Sequence, residues 1–201
     1  MRVLGLTGSI AMGKSTAANL LRRLRIPVHD ADAAIHRLLA KDGKGVGPVA
    51  AAFAGVRTGD TIDRAALGRI VFADPAALAR LETVLHPLAA LEGKRFLARH
   101  ARRRLVCLDV PLLLETGGDR RCDFVVVVSA SAMLQRQRAL ARPGMTAEKL
   151  AGILVRQMSD AQKRRRADLV AHTGLGKLAT LRVLKKAARL ALASPQRRRK
   201  F

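Results

Sequence analysis

The sequence predicts an α/β fold in which helices flank a mostly parallel sheet. Short apolar segments of strand length alternate with segments of helical apolar spacing along most of the 201 residues, and this alternation is typical of a parallel sheet covered by helices. Hydrophobic residues make up 49% of the chain, which is enough for a sizeable core. The apolar run at residues 124–128 has the length of a strand and is far shorter than the roughly 20 residues of a membrane span.

Five segments are predicted to be strands: residues 3–7, 26–30, 105–109, 124–129 and 169–171. Helices are predicted at residues 15–24, 33–40, 64–72, 75–85, 87–101, 132–141, 147–157 and 177–193, and Asp160 is expected to cap a further short helix. Residues 41–48 predict a loop, and His86-Pro87 predicts a break between two helices. No strand is predicted between residues 49 and 104, so residues 33–101 form a candidate helical insertion. Residues 194–201 predict a frayed basic tail.

The formal net charge of +23 invites a nucleic-acid interpretation. However, the chain has no Trp or Tyr and few Phe, so the aromatic platforms on which single strands stack are nearly absent. Its basic residues are spread along the chain, with short clusters at residues 102–104, 164–166 and 197–200. We expect a solvated basic surface that attracts phosphorylated small molecules and other polyanions, without a specific nucleic-acid or membrane partner. The oligomeric state is left open.

The N-terminus and the lack of a membrane-length apolar segment favour a soluble, cytoplasmic protein. The apolar start of the chain is interrupted at Gly5 and Gly8, and is too short for the apolar core of a signal peptide. Cys107 and Cys122 are the only cysteines, and neither has the spacing of a metal site. Cys107 lies in an apolar run, so we expect a buried, inert thiol.

The segment GSIAMGKS at residues 8–15 matches the P-loop pattern GxxxxGK[ST], between the first predicted strand and the first predicted helix. Glycines at both ends permit the turns that direct backbone N–H groups at phosphate oxygens, and the helix start adds its positive dipole. Lys14 is expected to bridge the β- and γ-phosphates, and the Ser15 hydroxyl to bind Mg²⁺. The sequence therefore predicts the three-layer core of a P-loop NTPase. Its expected ATP-binding residues are Gly8, Ala11, Met12, Gly13, Lys14, Ser15 and Thr16.

Carboxylates at the ends of two predicted strands favour a kinase over a GTPase, a motor or a nucleic-acid translocase. Asp30 and Asp32 follow the second strand, where a carboxylate could accept the proton of an acceptor hydroxyl. The alternative is that one of the two merely caps the next helix. Asp109 ends the third strand and resembles a Walker-B residue that holds Mg²⁺ directly or through water. Its alternative is a turn-initiating Asp before proline.

A basic helix face also favours a kinase. Gln135, Arg138 and Arg142 have i, i+3 and i+7 spacing, so they share one face of a helix that ends at Pro143-Gly144. This arrangement predicts an arginine clamp on a mobile lid, which would neutralise charge on the transferring phosphoryl group. The alternative is an ordinary solvated arginine face.

From residue 3 to about residue 174, the sequence resembles the dephospho-coenzyme A kinase family. The resemblance is carried by the P-loop, by VHDAD at residues 28–32, DRAAL at 63–67, LHPL at 85–88 and DVPLLLE at 109–115, and by Gln135, Arg138 and Arg142. It implies a P-loop kinase core, a helical acceptor-binding subdomain at about residues 33–101 and a lid at about residues 138–166. It also implies transfer of the ATP γ-phosphate to the ribose 3′-hydroxyl of dephospho-coenzyme A.

The resemblance assigns roles to individual residues. Asp32 would be the general base, Lys14 and Ser15 would hold phosphates and Mg²⁺, and Arg138 and Arg142 would close over the phosphates. The acceptor site implied by the resemblance comprises Asp32, Arg64, His86, Pro111, Leu112 and Leu113.

The chain departs from the family pattern at three places. Ser9, Ala11 and Met12 replace two glycines and a serine of the usual loop, Pro143 replaces an aspartate, and His172-Thr173 replaces an Asp-Asn pair. A Cβ at Ala11 opposes positive φ and would crowd the phosphates. These departures leave open a kinase of the same fold that acts on another nucleotide-like hydroxyl. The net charge of +23 and the arginine clusters keep a second alternative open, a nucleic-acid-binding P-loop protein.

Overall fold

The computed structural model describes residues 1–195, so most of the predicted basic tail lies outside the described residues. The strands, in chain order, are β1 (Arg2–Thr7), β2 (Val28–Asp30), β3 (Arg57–Thr58), β4 (Thr61–Ile62), β5 (Leu105–Asp109), β6 (Phe124–Ser129) and β7 (Leu169–His172). The helices are α1 (Lys14–Arg23), α2 (Ala31–Leu39), α3 (Val46–Ala52), α4 (Arg64–Ala73), α5 (Pro75–Arg99), α6 (Ala132–Leu140), α7 (Ala147–Arg156), α8 (Asp160–Arg166) and α9 (Gly176–Ala193). None of these helices is both long enough and apolar enough to cross a membrane.

A five-stranded sheet with the order β2-β5-β1-β6-β7 forms the centre of the fold. β1 pairs in parallel with β5 and with β6, and β6 pairs in parallel with β7. Every residue of β5 and β6 is buried, as expected of parallel strands covered by helices. The α/β class and the five predicted strands of this sheet are therefore confirmed. Because β1 and β5 are adjacent and parallel, their carboxyl ends lie at the same edge of the sheet.

The chain divides into two compact units, one made of Met1–His29 with the chain from His100 onward, and the other of Asp30–Arg99. In the first unit, β1 directs Leu4 and Leu6 into a core shared with α1 and α9, to which α9 contributes Leu184 and Ala187. α1 is amphipathic, since its buried residues are grouped on one side and Arg22 and Arg23 occupy its last turn. Basic residues in that turn favourably meet the negative end of the helix dipole.

The second unit, Asp30–Arg99, has its own apolar core, in which Phe53 and Val56 pack with residues of α2, α4 and α5. The guanidinium of Arg80 lies 4.9 Å from the centre of the Phe53 ring, a cation–π contact. β3 and β4 form a two-stranded antiparallel hairpin in this unit. The prediction that residues 49–104 contain no strand was therefore wrong. Each strand is only two residues long, which is too short to show an alternating apolar pattern.

Two predicted breaks are helical in the structure. α3 begins at Val46, within the predicted loop at residues 41–48, and Pro48 lies in its first turn, where the missing N–H of proline has no helical partner to lose. α5 continues through the predicted break at His86-Pro87. A proline inside a helix costs about 3 kcal/mol, and buried side chains on both sides of Pro87 offset this cost, among them Leu85 and Phe96.

Gly5 in β1 leaves no room for a side chain, because a Cβ there would lie 2.7 Å from Leu113 Cδ2 and 2.8 Å from Cys122 Sγ. We predict that Gly5→Ala lowers the free energy of unfolding by about 1–3 kcal/mol through overpacking. Urea unfolding measures this change. Gly152→Ala is the control, because Gly152 lies in α7 with no atom near its Cβ position, and the substitution should stabilise by about 0.5–1 kcal/mol. Equal effects at the two positions would contradict the prediction.

Candidate active site

The P-loop turns directly from β1, which ends at Thr7, into α1, which begins at Lys14. A Cβ at Gly8 would lie 2.4 Å from Val128 Cγ2 and 2.7 Å from the Val128 carbonyl oxygen. Only glycine therefore fits there. Gly13 caps α1 in the left-handed conformation, with φ of +92°, which glycine adopts at little cost. Both loop glycines that the sequence pattern singles out are thus required by the backbone.

Ala11 adopts φ of +61°, although the left-handed region costs a residue with a Cβ roughly 1–2 kcal/mol. The loop therefore keeps the backbone conformation that favours glycine at this position. Ala11 is buried in a small apolar cluster with Ala139 of α6 and Leu150 of α7. This packing offsets part of the conformational cost, and it ties the loop to the two helices that follow β6.

The Met12 side chain is 2% exposed and belongs to the main core of the first unit. The Ala130 N–H donates to Met12 Sδ at 3.1 Å, and the Thr173 hydroxyl donates to the Met12 carbonyl at 2.8 Å. A methionine in this loop is therefore accommodated within the core. Ser15 and Thr16, in the first turn of α1, are exposed.

Two glutamine side chains hold the tip of the P-loop. The Ile10 N–H donates to Gln157 Oε1 at 3.0 Å, and Gln135 Nε2 donates to the Ile10 carbonyl at 3.0 Å. Gln135, which the sequence placed on a helix face with Arg138, thus supports the loop from α6. Gln157 was missed, because its position at the end of a predicted helix does not distinguish it from any surface glutamine.

Lys14 and Asp109 form an ion pair, with 2.8 Å between Lys14 Nζ and Asp109 Oδ1. Asp109 is 1% exposed and lies opposite Leu6 in the parallel register of β1 and β5. The structure therefore brings together the predicted phosphate-binding lysine and the predicted Walker-B carboxylate. A buried carboxylate is stable when it is paired in this way.

Arg138 is anchored to Thr173. One guanidinium nitrogen donates to the Thr173 hydroxyl oxygen at 3.0 Å and another to the Thr173 carbonyl at 3.2 Å. Thr173 also lies against Gly13, since a Cβ at that glycine would lie 3.0 Å from Thr173 Oγ1. Thr173 therefore joins the predicted arginine clamp to the P-loop. No local pattern in the sequence indicated this role. Thr173 was noted there only because His172-Thr173 replaces the Asp-Asn pair that is usual in the family.

Arg142 lies one turn beyond Arg138, just after α6, and is exposed. Within residues 1–195 its side chain makes no hydrogen bond or ion pair. The two predicted clamp residues thus differ: Arg138 is held in place and Arg142 is available to a ligand.

The segment after β5 contains the three apolar residues assigned to the acceptor site. The Pro111 carbonyl accepts hydrogen bonds from the Thr7 hydroxyl at 2.9 Å and from Lys163 Nζ at 3.1 Å. Leu113 is 1% exposed and packs in the core, whereas Leu112 is exposed. Of the three residues, Leu112 is therefore the most exposed.

α8 begins differently from the prediction. Ser159 rather than Asp160 caps the helix, in a capping box with Gln162. Asp160 instead accepts a hydrogen bond from the Ser129 hydroxyl at 2.8 Å. The prediction of Asp160 as the cap was wrong because the pair Ser159 and Gln162 has the spacing of a capping box. The Ser159 side chain accepts from the Gln162 N–H, and the Gln162 side chain accepts from the Ser159 N–H.

The second unit contains Asp32, Arg64 and His86. Asp30 caps α2 by accepting a hydrogen bond from the Ala33 N–H at 2.9 Å, so the capping alternative applies to Asp30. Asp32 lies exposed in the first turn of α2. The Arg64 guanidinium contacts the His36 ring, with 2.8 Å between Nη2 and Nε2. His86 is exposed within α5.

The pKa values of two groups near the predicted site residues are shifted by their surroundings, those of Asp63 and Cys107. Hydrogen bonds from the backbone N–H groups of Ala66 and Ala65 lower the pKa of Asp63, which caps α4 just before Arg64. Burial raises the pKa of Cys107 well above its usual range, and the nearby Asp109 carboxylate raises it further. Cys107 is therefore a protonated core thiol. Within residues 1–195, no group of three or more His, Cys, Asp or Glu side chains lies where it could hold a metal ion.

A family model and the curated relatives agree on one family. The family model described as dephospho-CoA kinase matches residues 2–175. A protein named dephospho-CoA kinase from Paramagnetospirillum magneticum is 60% identical over 166 residues, which are 82% of this chain and 78% of that relative. One of the same name from Rhodospirillum rubrum is 55% identical over 186 residues, 91% of this chain and 88% of the relative. The crystal structure of a Thermus thermophilus protein has a TM-score of 0.83 and 34% identity, with 94% and 96% of the two chains covered.

We predict that Thr173→Val weakens the P-loop. Valine has the same shape but lacks the hydroxyl, so the Met12 carbonyl loses its donor and Arg138 loses an acceptor, at a cost of about 1–3 kcal/mol in unfolding free energy. The Michaelis constant for ATP should rise several-fold. Thr180→Val is the control, since Thr180 is also buried but its hydroxyl donates only within α9, to the Gly176 carbonyl at 2.9 Å. An unchanged Michaelis constant for ATP in Thr173→Val would contradict the prediction.

Proposed function

Because the chain belongs to the dephospho-CoA kinase family, we propose that it transfers the γ-phosphate of ATP to the ribose 3′-hydroxyl of dephospho-coenzyme A. The products are coenzyme A and ADP, and the reaction is the last step of coenzyme A synthesis. The observation that carries the proposal is the family match over residues 2–175. This match runs from β1 through β7 and includes every residue that is given a role below. We also propose that the protein works in the cytoplasm, as the sequence predicts.

The P-loop supplies the phosphate-binding part of the proposed reaction. Its backbone N–H groups and the N-terminus of α1 offer positive potential to the ATP phosphates. Lys14 is paired with Asp109 at 2.8 Å, and we propose that it turns to the β- and γ-phosphates when ATP binds. A lysine amine there stabilises the charge that spreads over the transferring phosphoryl group.

The two arginines have complementary proposed roles. Arg138 is fixed to Thr173 by two hydrogen bonds, so it presents a preorganised positive charge beside the P-loop. Arg142 is exposed, and we propose that it moves onto the phosphates when the segment containing α7 closes as a lid. Charge close to the leaving ADP oxygen lowers the barrier without any proton transfer.

Asp32 is the proposed general base. It accepts the proton of the ribose 3′-hydroxyl as that oxygen attacks the γ-phosphorus and the bond to the ADP oxygen breaks. Two observations support this role: Asp32 is exposed, and the helix cap next to it is made by Asp30. Arg64, His86 and residues 111–113 are proposed to contact the acceptor.

Mg²⁺ is proposed as the partner of ATP. The described residues offer it no cluster of three or more acidic, histidine or cysteine ligands, and this fits a kinase, in which Mg²⁺ keeps several waters and binds mainly to phosphate oxygens. The residues that would hold it are Ser15, exposed in the first turn of α1, and Asp109, which ends β5. Bound Mg²⁺ would neutralise charge between the β- and γ-phosphates.

The direct test is ADP release by the purified chain with ATP and Mg²⁺, measured separately with dephospho-coenzyme A, adenosine and shikimate as acceptors. We expect rapid release with dephospho-coenzyme A, and a product heavier by one phosphate in mass spectra. Turnover with another nucleoside but none with dephospho-coenzyme A would instead indicate a kinase of different acceptor specificity. Lys14→Ala is the control for contaminating activity, because it removes the phosphate-binding amine and should abolish release.

We predict that Asp32→Asn lowers kcat by roughly 10² or more, because the amide cannot accept the hydroxyl proton. ATP binding, measured by calorimetry, should be largely unchanged. Asp42→Asn is the matched control: Asp42 is also an exposed acid of the second unit, and asparagine tolerates its φ of +59°. Near-normal kcat in Asp32→Asn would remove the role proposed for this residue.

A further inference from the structure

Lys163, in the middle of α8, has the bulkiest fully buried side chain among the residues that the structure describes, with no exposed surface. Burial of an ammonium group is costly unless it is paired and hydrogen-bonded. The next three residues of the helix are arginines with exposed side chains. The burial of Lys163 is therefore specific to its position and does not follow from the basic composition of α8.

The Lys163 amine has two partners, both in the segment that follows β5. Its Nζ lies 2.7 Å from Glu115 Oε1 and donates to the Pro111 carbonyl at 3.1 Å. The same carbonyl accepts the Thr7 hydroxyl at 2.9 Å. Thr7 is fully buried and is the last residue of β1 before the P-loop. The Pro111 carbonyl thus joins α8 to the start of the P-loop.

Residues just before Lys163 reinforce the same junction. The Met158 N–H donates to Glu115 Oε1 at 2.9 Å, next to the lysine contact. The Gln157 side chain holds the Ile10 N–H at the tip of the P-loop. The stretch from residue 157 to residue 163 therefore contacts the P-loop at one end and residues 111–115 at the other.

A contribution to stability alone does not account for this arrangement. Replacing a buried ion pair by apolar side chains of similar volume is often neutral or stabilising, whereas removing one partner is strongly destabilising. A methionine would fill the space of Lys163 with no desolvation cost. What the apolar side chain would lose, besides the ion pair with Glu115, is one of the two hydrogen bonds that hold the Pro111 carbonyl.

We propose that Lys163 is a positioning residue that fixes residues 111–115 against the end of β1, and that it thereby affects the affinity for the acceptor more strongly than that for ATP. This inference rests on the proposed function, which assigns residues 111–113 to acceptor binding. Lys163 acts through the backbone of Pro111 and through Glu115, without touching the reacting atoms.

The test compares wild type, Lys163→Met, the double variant Lys163→Met/Glu115→Gln, and Arg165→Met as an exposed control in the same helix. Michaelis constants for dephospho-coenzyme A and ATP, kcat and the melting temperature are measured for each. Lys163→Met should lower the melting temperature, because the partly buried Glu115 carboxylate loses its cationic partner. The double variant should recover the melting temperature, since both charges are removed and the amide oxygen of the introduced glutamine can still accept from the Met158 N–H.

In Lys163→Met and in the double variant, we expect the Michaelis constant for dephospho-coenzyme A to rise at least about tenfold, and that for ATP to stay within about twofold. Arg165→Met should resemble wild type. Equal changes in both Michaelis constants, or a wild-type value for dephospho-coenzyme A in the double variant, would overturn the inference. If Lys163→Met does not fold, the double variant decides alone. Absence of turnover by the wild type would instead refute the proposed function. Failure of the inference about Lys163 and failure of the proposed function therefore give different results.

Discussion

The ion pair between Lys14 and Asp109 is the interaction on which the rest of the site depends. It joins the first turn of α1 to the end of β5 at 2.8 Å, and it is possible only because β1 and β5 are adjacent and parallel. The sheet therefore places the predicted phosphate-binding lysine and the predicted Walker-B carboxylate together at one edge. Because Asp109 is buried, the pair also keeps its charge compensated in the absence of ATP.

The P-loop is held largely by residues outside it. Gln135 and Gln157 bind Ile10 from two sides, and Thr173 binds the Met12 carbonyl. These contacts explain how a loop with alanine in a left-handed conformation keeps its shape, since the surrounding structure must over-determine a strained residue. Preorganised loops of this kind bind phosphates without reorganisation at the moment of reaction.

Short-range signals predicted much of the fold and the centre of the site. Buried strands, helix caps such as Thr146, and the P-loop all have local sequence patterns, and the structure contains them. The support of the site could not be predicted this way. Thr173 meets Met12 across 161 positions of sequence, and Lys163 meets Pro111 across 52, so no periodicity links them. Pro87 shows the opposite case, in which tertiary packing overrode a strong local signal and α5 continued.

The position of the new phosphate on the product tests the proposed function most directly. The chain would be incubated with ATP, Mg²⁺ and dephospho-coenzyme A, and the purified product examined by phosphorus and proton NMR beside authentic coenzyme A. We expect a single phosphomonoester on the ribose 3′-oxygen and a spectrum identical to that of coenzyme A. A phosphate on the 2′-oxygen or elsewhere, or ADP formed without any phosphorylated acceptor, would contradict the proposed transfer.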